Sequence, residues 1–354
     1  MAYTTIDKST AHFNTITYTG NAASTRAITG VGFQPDWLWI KNRDDGTRYH
    51  VVADVVRGAN GSGAMNLIYP NDTQAQNTSD TTNIKSLDSD GFTVGSDNNV
   101  NKNSAGQVAW NWKAGGGQGS SNTDGTINTT YTSVNSTAKF SISQYTGTGS
   151  NATFGHGLGV APTFYIIKEI SATGPWFVGH VPYTGDTGYL YLQSNIVGAA
   201  SGQAFTTAKP TSTLINLGTD PDVNQSGQTY IAYCFAEVPG FSKFGKYVGN
   251  GSSSSPTFIY TGFKPKFVIV KNVSQTDDWF MHDDKRDGFN DDNEYLFADI
   301  PNAEGTNTNR IRLLSNGFSV PTTDKSHNVS GNNYVYIAFG QSLVGSNNIP
   351  CTAR

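Results

Sequence analysis

Glycoside hydrolysis requires two carboxylates flanking the scissile bond, and glutamate is scarce in this chain of 354 residues, occurring only as Glu169, Glu237, Glu294 and Glu304. These four are scattered, and no strand-like stretch carries acids at alternate positions. Most aspartates stand in Asn/Asp/Gly/Ser clusters, where turn formation accounts for them. No catalytic residue is therefore assigned. The six histidines, His12, His50, His156, His180, His282 and His327, show no metal-motif spacing. His50 and His282 follow near one repeated aromatic; His180 falls close by in its own copy, one residue out of register with His282. The preferred reading is a strand-end imidazole that packs and hydrogen-bonds, rather than a shared ligand or acid–base group. The densest acidic patch is Asp277-Asp278, Asp283-Asp284, Asp287, Asp291-Asp292 and Glu294. Hard cations such as Ca²⁺ take oxygens from such loops, which makes Asp287, Asp291 and Asp292 the candidates for a structural calcium. Their spacing is not that of an EF-hand, and Lys285 and Arg286 interrupt it, so a solvated, self-paired loop is preferred. No other cofactor is expected. No glycine-rich stretch follows a strand and opens a helix, so phosphate cradling is unsupported.

The elements around these residues repeat three times. Pro35-Asp36-Trp37-Leu38-Trp39-Ile40-Lys41 recurs as Pro162-Thr163-Phe164-Tyr165-Ile166-Ile167-Lys168 and as Pro265-Lys266-Phe267-Val268-Ile269-Val270-Lys271. Upstream lies Tyr-x-Gly at Tyr18/Gly20, Tyr145/Gly147 and Tyr247/Gly249. Downstream, at one fixed offset from the proline, stands Tyr49, Trp176 or Trp279. Each copy closes on Val108-Ala109-Trp110, Ile231-Ala232-Tyr233 or Ile337-Ala338-Phe339. The period of roughly 100–125 residues far exceeds a solenoid repeat of about 20–50, so each copy is long enough to be a domain. The boundaries expected are 1–118, 119–239 and 240–354. Gly115 to Asn122 reads as a flexible linker. The second boundary, near Pro239-Gly240, is short, so units two and three are expected to be held together more rigidly than one and two. Trp176 and Trp279 could stack on sugar rings, but a position reused in every copy reads as core. Glycan contact is expected instead in loops that differ between copies, Tyr183 to Tyr191 or Asp287 to Tyr295.

Charged residues are 14% of the chain, against roughly 25% in ordinary soluble proteins. Tyr (17), Phe (19) and many Ser, Thr, Asn and Gly favour strands joined by polar turns over helices. Thr15-Ile16-Thr17-Tyr18 and Phe140-Ser141-Ile142-Ser143 alternate as half-buried strands do, whereas Trp37 to Ile40 and its copies read as strands buried on both faces. Asp90-Gly91-Phe92 and Asn316-Gly317-Phe318 look like turns entering strands. The fold class expected is all-β: three tandem antiparallel β-sandwich, jelly-roll-like domains. Trp37, Trp39, Phe164, Ile166, Phe267 and Ile269 are the expected core, with Trp110, Tyr233 and Phe339 close to them in their own units. The net charge of −4 offers no basic face for nucleic acid, and no apolar run is long enough to insert in a membrane. The N-terminus carries no signal-peptide pattern. Folding in a cytoplasm is expected, with Cys234 and Cys351 unpaired.

Ile28-Thr29-Gly30-Val31-Gly32-Phe33-Gln34-Pro35-Asp36-Trp37, Val108-Ala109-Trp110-Asn111-Trp112-Lys113-Ala114-Gly115-Gly116, and Tyr230 to Val238 followed by Gly240-Phe241-Ser242-Lys243-Phe244-Gly245 resemble a family of uncharacterised structural proteins of tailed bacteriophages, common in marine and aquatic phages. The likeness runs to Thr352-Ala353-Arg354 and carries no catalytic motif. It implies a non-enzymatic virion component on the particle surface, partnered by other capsid or tail proteins and assembled as a homo-oligomer such as a trimer. A head decoration or cement protein is the first expectation. A tail-fibre or receptor-binding protein contacting host-surface glycan is the second, disfavoured because the chain has no heptad, collagen-like or β-helix shaft. A secreted carbohydrate-binding module is the third.

Overall fold

Alternation of aromatic or β-branched residues with polar ones, broken by Gly, Asn and Asp, produces strands and very little helix. The structure, a computed structural model, describes residues 4–185, 187–200, 203–206, 208–286, 290, 293–306 and 309–342. Cys351 and the candidate calcium ligands Asp287, Asp291 and Asp292 lie outside the described residues. Unit one contains β1 (Phe13–Thr19), β2 (Arg26–Thr29), β3 (Trp37–Asn42), β4 (Val51–Asp54), β5 (Ile84–Asp88), β6 (Gly91–Val94) and β7 (Gly106–Trp112). Unit two contains β8 (Tyr131–Asn135), β9 (Phe140–Thr146), β10 (Ala152–Gly155), β11 (Phe164–Glu169), β12 (Trp176–His180), β13 (Gly188–Tyr191), β14 (Ala199–Ala200), β15 (Leu214–Leu217) and β16 (Thr229–Phe235). Unit three contains β17 (Ser242–Val248), β18 (Thr257–Tyr260), β19 (Phe263–Asn272), β20 (Trp279–Asp283), β21 (Leu296–Phe297), β22 (Arg312–Leu314), β23 (Gly317–Val320) and β24 (Asn333–Ser342).

Each unit is an antiparallel sandwich of a large and a small sheet. The large sheets run β1-β7-β3-β4, β14-β13-β12-β11-β16-β9-β8 and β17-β24-β19-β20-β21. The small ones run β2-β6-β5, β10-β15 and β18-β23-β22. The repeat is kept in register: Trp37 pairs with Trp112, Phe164 with Phe235, and Phe267 with Phe339. Pro35 and Pro162 stand two residues before their strands. Pro265 lies inside β19, where the register shifts between Pro265 and Phe267, an irregularity that tolerates a residue without a backbone N–H.

The central strand of each unit is apolar on both faces because it serves two cores. Leu38 and Ile40 face the sandwich interior of unit one, with Phe92 and Val94. Tyr165 and Ile167 do so in unit two, and Val268 and Val270 in unit three. The alternate residues, Trp37, Trp39, Phe164, Ile166, Phe267 and Ile269, all join one further core together with Trp110, Tyr233 and Phe339. Trp37 stacks on Tyr233 of unit two at 4.8 Å, Phe164 on Phe244 of unit three at 5.4 Å, and Phe13 on Phe339 of unit three at 5.5 Å. The expected core residues are buried, but they weld the three units to each other instead of filling separate domains.

Polar contacts close the same ring. Asp54, His180 and Asp283 occupy one position, opposite Trp37, Phe164 and Phe267 of the central strands. Asp54 accepts from the Tyr233 hydroxyl at 2.7 Å, joining unit one to two. His180 Nε2 lies 3.2 Å from the Tyr336 carbonyl, joining two to three. Asp283 accepts from Trp110 Nε1 at 3.0 Å, joining three to one. One to two, two to three and three back to one is a closed pseudo-threefold arrangement within a single chain.

Two expectations are corrected. Gly115 to Asn122 is not a free linker: Asp36 Oδ2 accepts from Ala114 N at 2.7 Å and Gly116 N at 2.8 Å, and Gln118 Nε2 donates to the Val56 carbonyl at 2.9 Å. The same stretch meets unit two, with Gly115 N donating to Ser133 Oγ at 3.0 Å and Thr132 N to the Ser120 carbonyl at 2.8 Å. Second, Tyr49 is not the counterpart of Trp176 and Trp279. It is 39% exposed, whereas both tryptophans are fully buried. Lys168 pairs with Trp176 and Lys271 with Trp279, while the pairing of Ile40 with Val51 sets His50 opposite Lys41. The unit-one hairpin is one residue longer, so equal spacing in sequence lands one residue off in space.

Candidate functional site

The titratable groups cluster at the junctions between units and are mostly spent there. Lys41, Lys168 and Lys271, the last residues of the repeated string, are fully buried. Each donates from Nζ to the carbonyl of the next residue, at 2.6 Å for Lys41 to Asn42 and Lys271 to Asn272, and likewise for Lys168 to Glu169. Burial lowers all three to about 8, against the pull of nearby carboxylates. Asp54 and Arg57 form a buried ion pair at 2.5 Å, and Asp283 and Arg286 form its counterpart at 2.6 Å. Asp54 and Asp283 also bond to neighbouring units, and Arg57 borders a cleft between units one and two.

Five of the six histidines are buried, and His12 is half-buried, its Nδ1 3.0 Å from Asn135 Nδ2. His50 Nδ1 accepts from Trp39 Nε1 at 2.8 Å. His156 Nδ1 accepts from Leu158 N at 3.2 Å. Ser326 Oγ lies 2.6 Å from His327 Nδ1, and His327 Nε2 lies 3.0 Å from His282 Nε2. A hydroxyl followed by two imidazoles has the order of a nucleophile, base and orienting group, yet all three residues are buried at 1% exposure or less. Burial lowers His282 to about 3, with Arg286 adding to it, and holds His327 well below the usual range. Both rings are neutral packing groups at ordinary pH. Cys234 is buried inside unit two, and burial raises its thiol far above the usual range.

Of the acidic patch, Asp283 and Glu294 meet arginines, and Glu304 joins them. Arg43 of unit one reaches Glu294 at 2.7 Å and Glu304 at 2.6 Å, and Arg286 reaches Glu304 at 2.7 Å. Although burial opposes it, the two guanidiniums hold Glu304 below its usual range. Among the described residues no group of three metal-ligating side chains converges. The loops expected to meet glycan turn their aromatics inward: Tyr183 donates to the Val273 carbonyl at 3.1 Å, Tyr189 is buried, and Tyr295 lies under Arg310 at 4.6 Å.

A cleft of about 530 Å³ opens between units one and two. Gln76, Thr78, Gln118, Gln144 and Thr229 give it polar, uncharged walls, and Tyr131, Val56 and Ile170 give it apolar surface. Internal symmetry explains the opening. Asn77 bridges Leu67 as Gly305 bridges Tyr295, so Gln76 and Glu304 are equivalent. Gln76 N donates to the Ile170 carbonyl at 3.0 Å, as Glu304 N donates to that of Arg43 at 2.7 Å. At the junction of units three and one the space is plugged by Arg43 and Glu304. At the junction of units one and two the same places hold Ile170 and Gln76, and the plug is missing.

Sequence reasoning overlooked another repeated device. Asp97-x-x-Val100-Asn101, Asp220-x-x-Val223-Asn224 and Asp324-x-x-His327-Asn328 each cap a short turn through the aspartate. The residue before the asparagine takes the hydroxyl of the Tyr-x-Gly tyrosine, at 2.6, 2.7 and 2.8 Å. The signal was there as three aspartates, each four residues before an asparagine.

Residues 8–342 match the family described as a domain of unknown function, DUF7483. The chain belongs to that family. One match runs through all three units, so the family's domain is the whole ring and not a single sandwich. No curated protein matches the chain.

Proposed function

We propose that this protein is a non-enzymatic structural component of a tailed-bacteriophage particle, seated on the head surface as a decoration or cement protein. The observation that carries the reading is the closed ring of three sandwiches around one core: a single chain with the outward symmetry of a trimer. Shells built on icosahedral lattices offer threefold and quasi-threefold sites, and a body with three equivalent faces meets such a site with three equal contacts. Each contact can be modest, because simultaneous engagement multiplies them. The partners are then capsid proteins. A further homo-oligomer is unnecessary, since the chain supplies the threefold itself. A weakly charged Ser/Thr/Asn/Gly exterior, histidines and carboxylates consumed in packing, and the likeness to phage structural proteins support the same reading.

The test is the protein's place and copy number on purified particles. Mass spectrometry is expected to find hundreds of copies, and electron cryomicroscopy to find the ring centred on threefold positions of the head. A few copies to tens, with density at the tail, would replace this reading with a tail-fibre or receptor-binding role. Absence from particles would remove both.

A further inference from the structure

We propose that the cleft between units one and two is a binding site for a short, uncharged oligosaccharide. The inference stands on the cleft itself and not on where the protein sits on a particle. The cleft lies where the threefold repeat is broken. A space that Arg43 and Glu304 fill at one junction is left open at another by Ile170 and Gln76. Its volume, about 530 Å³, falls within the range of ligand pockets.

The chemistry of the walls selects the ligand. The Gln144 amide and the hydroxyls of Thr78, Thr229 and Tyr131 have no hydrogen-bond partner within the described residues, and Gln118 spends only its Nε2, on Val56. These groups offer both donors and acceptors, as sugar hydroxyls require. No free charge faces the space: the Arg57 guanidinium is taken by Asp54 and by the carbonyls of Asn66 and Val52. A phosphate or carboxylate would find no counter-ion, and a lipid chain would strand the amides. The Tyr131 ring, with Val56 and Ile170, supplies the apolar surface on which the C–H face of a sugar ring rests. Gln118 precedes β8 and Tyr131 begins it, and both fall in the stretch between β7 and β9, which has no counterpart between units two and three, where β16 leads within a few residues to β17. The unrepeated part of the chain thus completes the site.

The test uses the full-length protein and saturation-transfer NMR with maltotriose, cellotriose, chitotriose and mannotriose, and with sialyllactose as a charged control. At least one neutral trisaccharide is expected to show transfer. Tyr131→Ala and Gln144→Ala are each expected to weaken that binding tenfold or more. Where either variant fails to fold, the double variant Ile170→Arg with Gln76→Glu serves. It rebuilds the plug of the other junction, and is expected to abolish binding while the melting temperature stays the same or rises. No transfer from any neutral sugar at millimolar concentration would overturn the proposal. So would transfer from sialyllactose alone, or binding unchanged in the plugged variant. None of these results bears on the particle location, which mass spectrometry decides separately.

Discussion

A buried lysine bonded to the next carbonyl is an uncommon device, and here it appears at Lys41, Lys168 and Lys271. The ammonium has lost water and gained one short bond, so its proton is held less tightly than in the unfolded chain. The folded lysines release it near pH 8, the unfolded ones near 10.4. Between those values the unfolded chain binds more protons, and stability rises with pH, by at most about 1.4 kcal/mol per pH unit for each lysine. The Cys234 thiol and the buried hydroxyls of Tyr145, Tyr233 and Tyr247 oppose this, because burial keeps them protonated when folded while they ionise more readily when unfolded. Lys41→Met is predicted to remove roughly a third of the lysine contribution to the slope. Guanidinium unfolding at pH 8, 9 and 9.5 measures it, and an unchanged slope would show that Lys41 titrates normally. The lysines were legible as the end of a repeated string, but not as buried groups. Burial depends on the two sheets that cover them, which belong to separate stretches of chain.

Strands were the easiest elements to read. The apolar runs after Pro35, Pro162 and Pro265 form the central strands, and the Tyr-x-Gly strings end the strands that lie beyond β7, β16 and β24 in each large sheet. The glycine has a physical reason in each unit. A Cβ at Gly20, Gly147 or Gly249 would stand 2.0, 2.3 and 2.3 Å from the carbonyl oxygen of Lys102, Gln225 and Val329. That distance forbids any side chain unless the capped turn moves away. Gly147→Ala is predicted to cost about 1–3 kcal/mol, as overpacking does, whereas Ala at the unhindered Gly117 should cost less than 1. Equal losses at the two positions, in denaturant midpoints, would refute the close-approach argument. Elements were misread where loop length entered. Tyr49 has the right spacing and the wrong partner, because one additional residue in a hairpin moves every later side chain to the other face.

At the scale of the whole molecule, the shared core sets cooperativity. Each central strand buries one face inside its own unit and the other against two neighbours, so no unit is complete alone. Calorimetry of the full chain is predicted to give one transition, with calorimetric and van't Hoff enthalpies in agreement. A chain truncated to residues 1–239 strips unit three from Phe13, Trp110 and Phe164 and is predicted to aggregate or to bind a hydrophobic dye. Three resolved transitions, or a well-behaved monomer from 1–239, would mean that the units are independent.

The all-β class, the three copies and the burial of the tryptophans, phenylalanines and isoleucines of the central strands could be read from the chain alone. These are properties of local pattern: alternation, spacing and turn chemistry repeat wherever the same strand is built. The sequence also determined that Trp37, Trp39 and their counterparts are apolar on a strand already apolar on its other face, which is the trace of a second core. What that second core joins follows from the packing of the three units on one another. The joining residues, Asp54 with Tyr233, His180 with Tyr336, and Asp283 with Trp110, are brought together by the closing of the ring and not by sequence distance. The cleft was decided there too. Ile170 and Gln76 carry no signal by type, and they matter only because the ring places them where Arg43 and Glu304 stand at another junction.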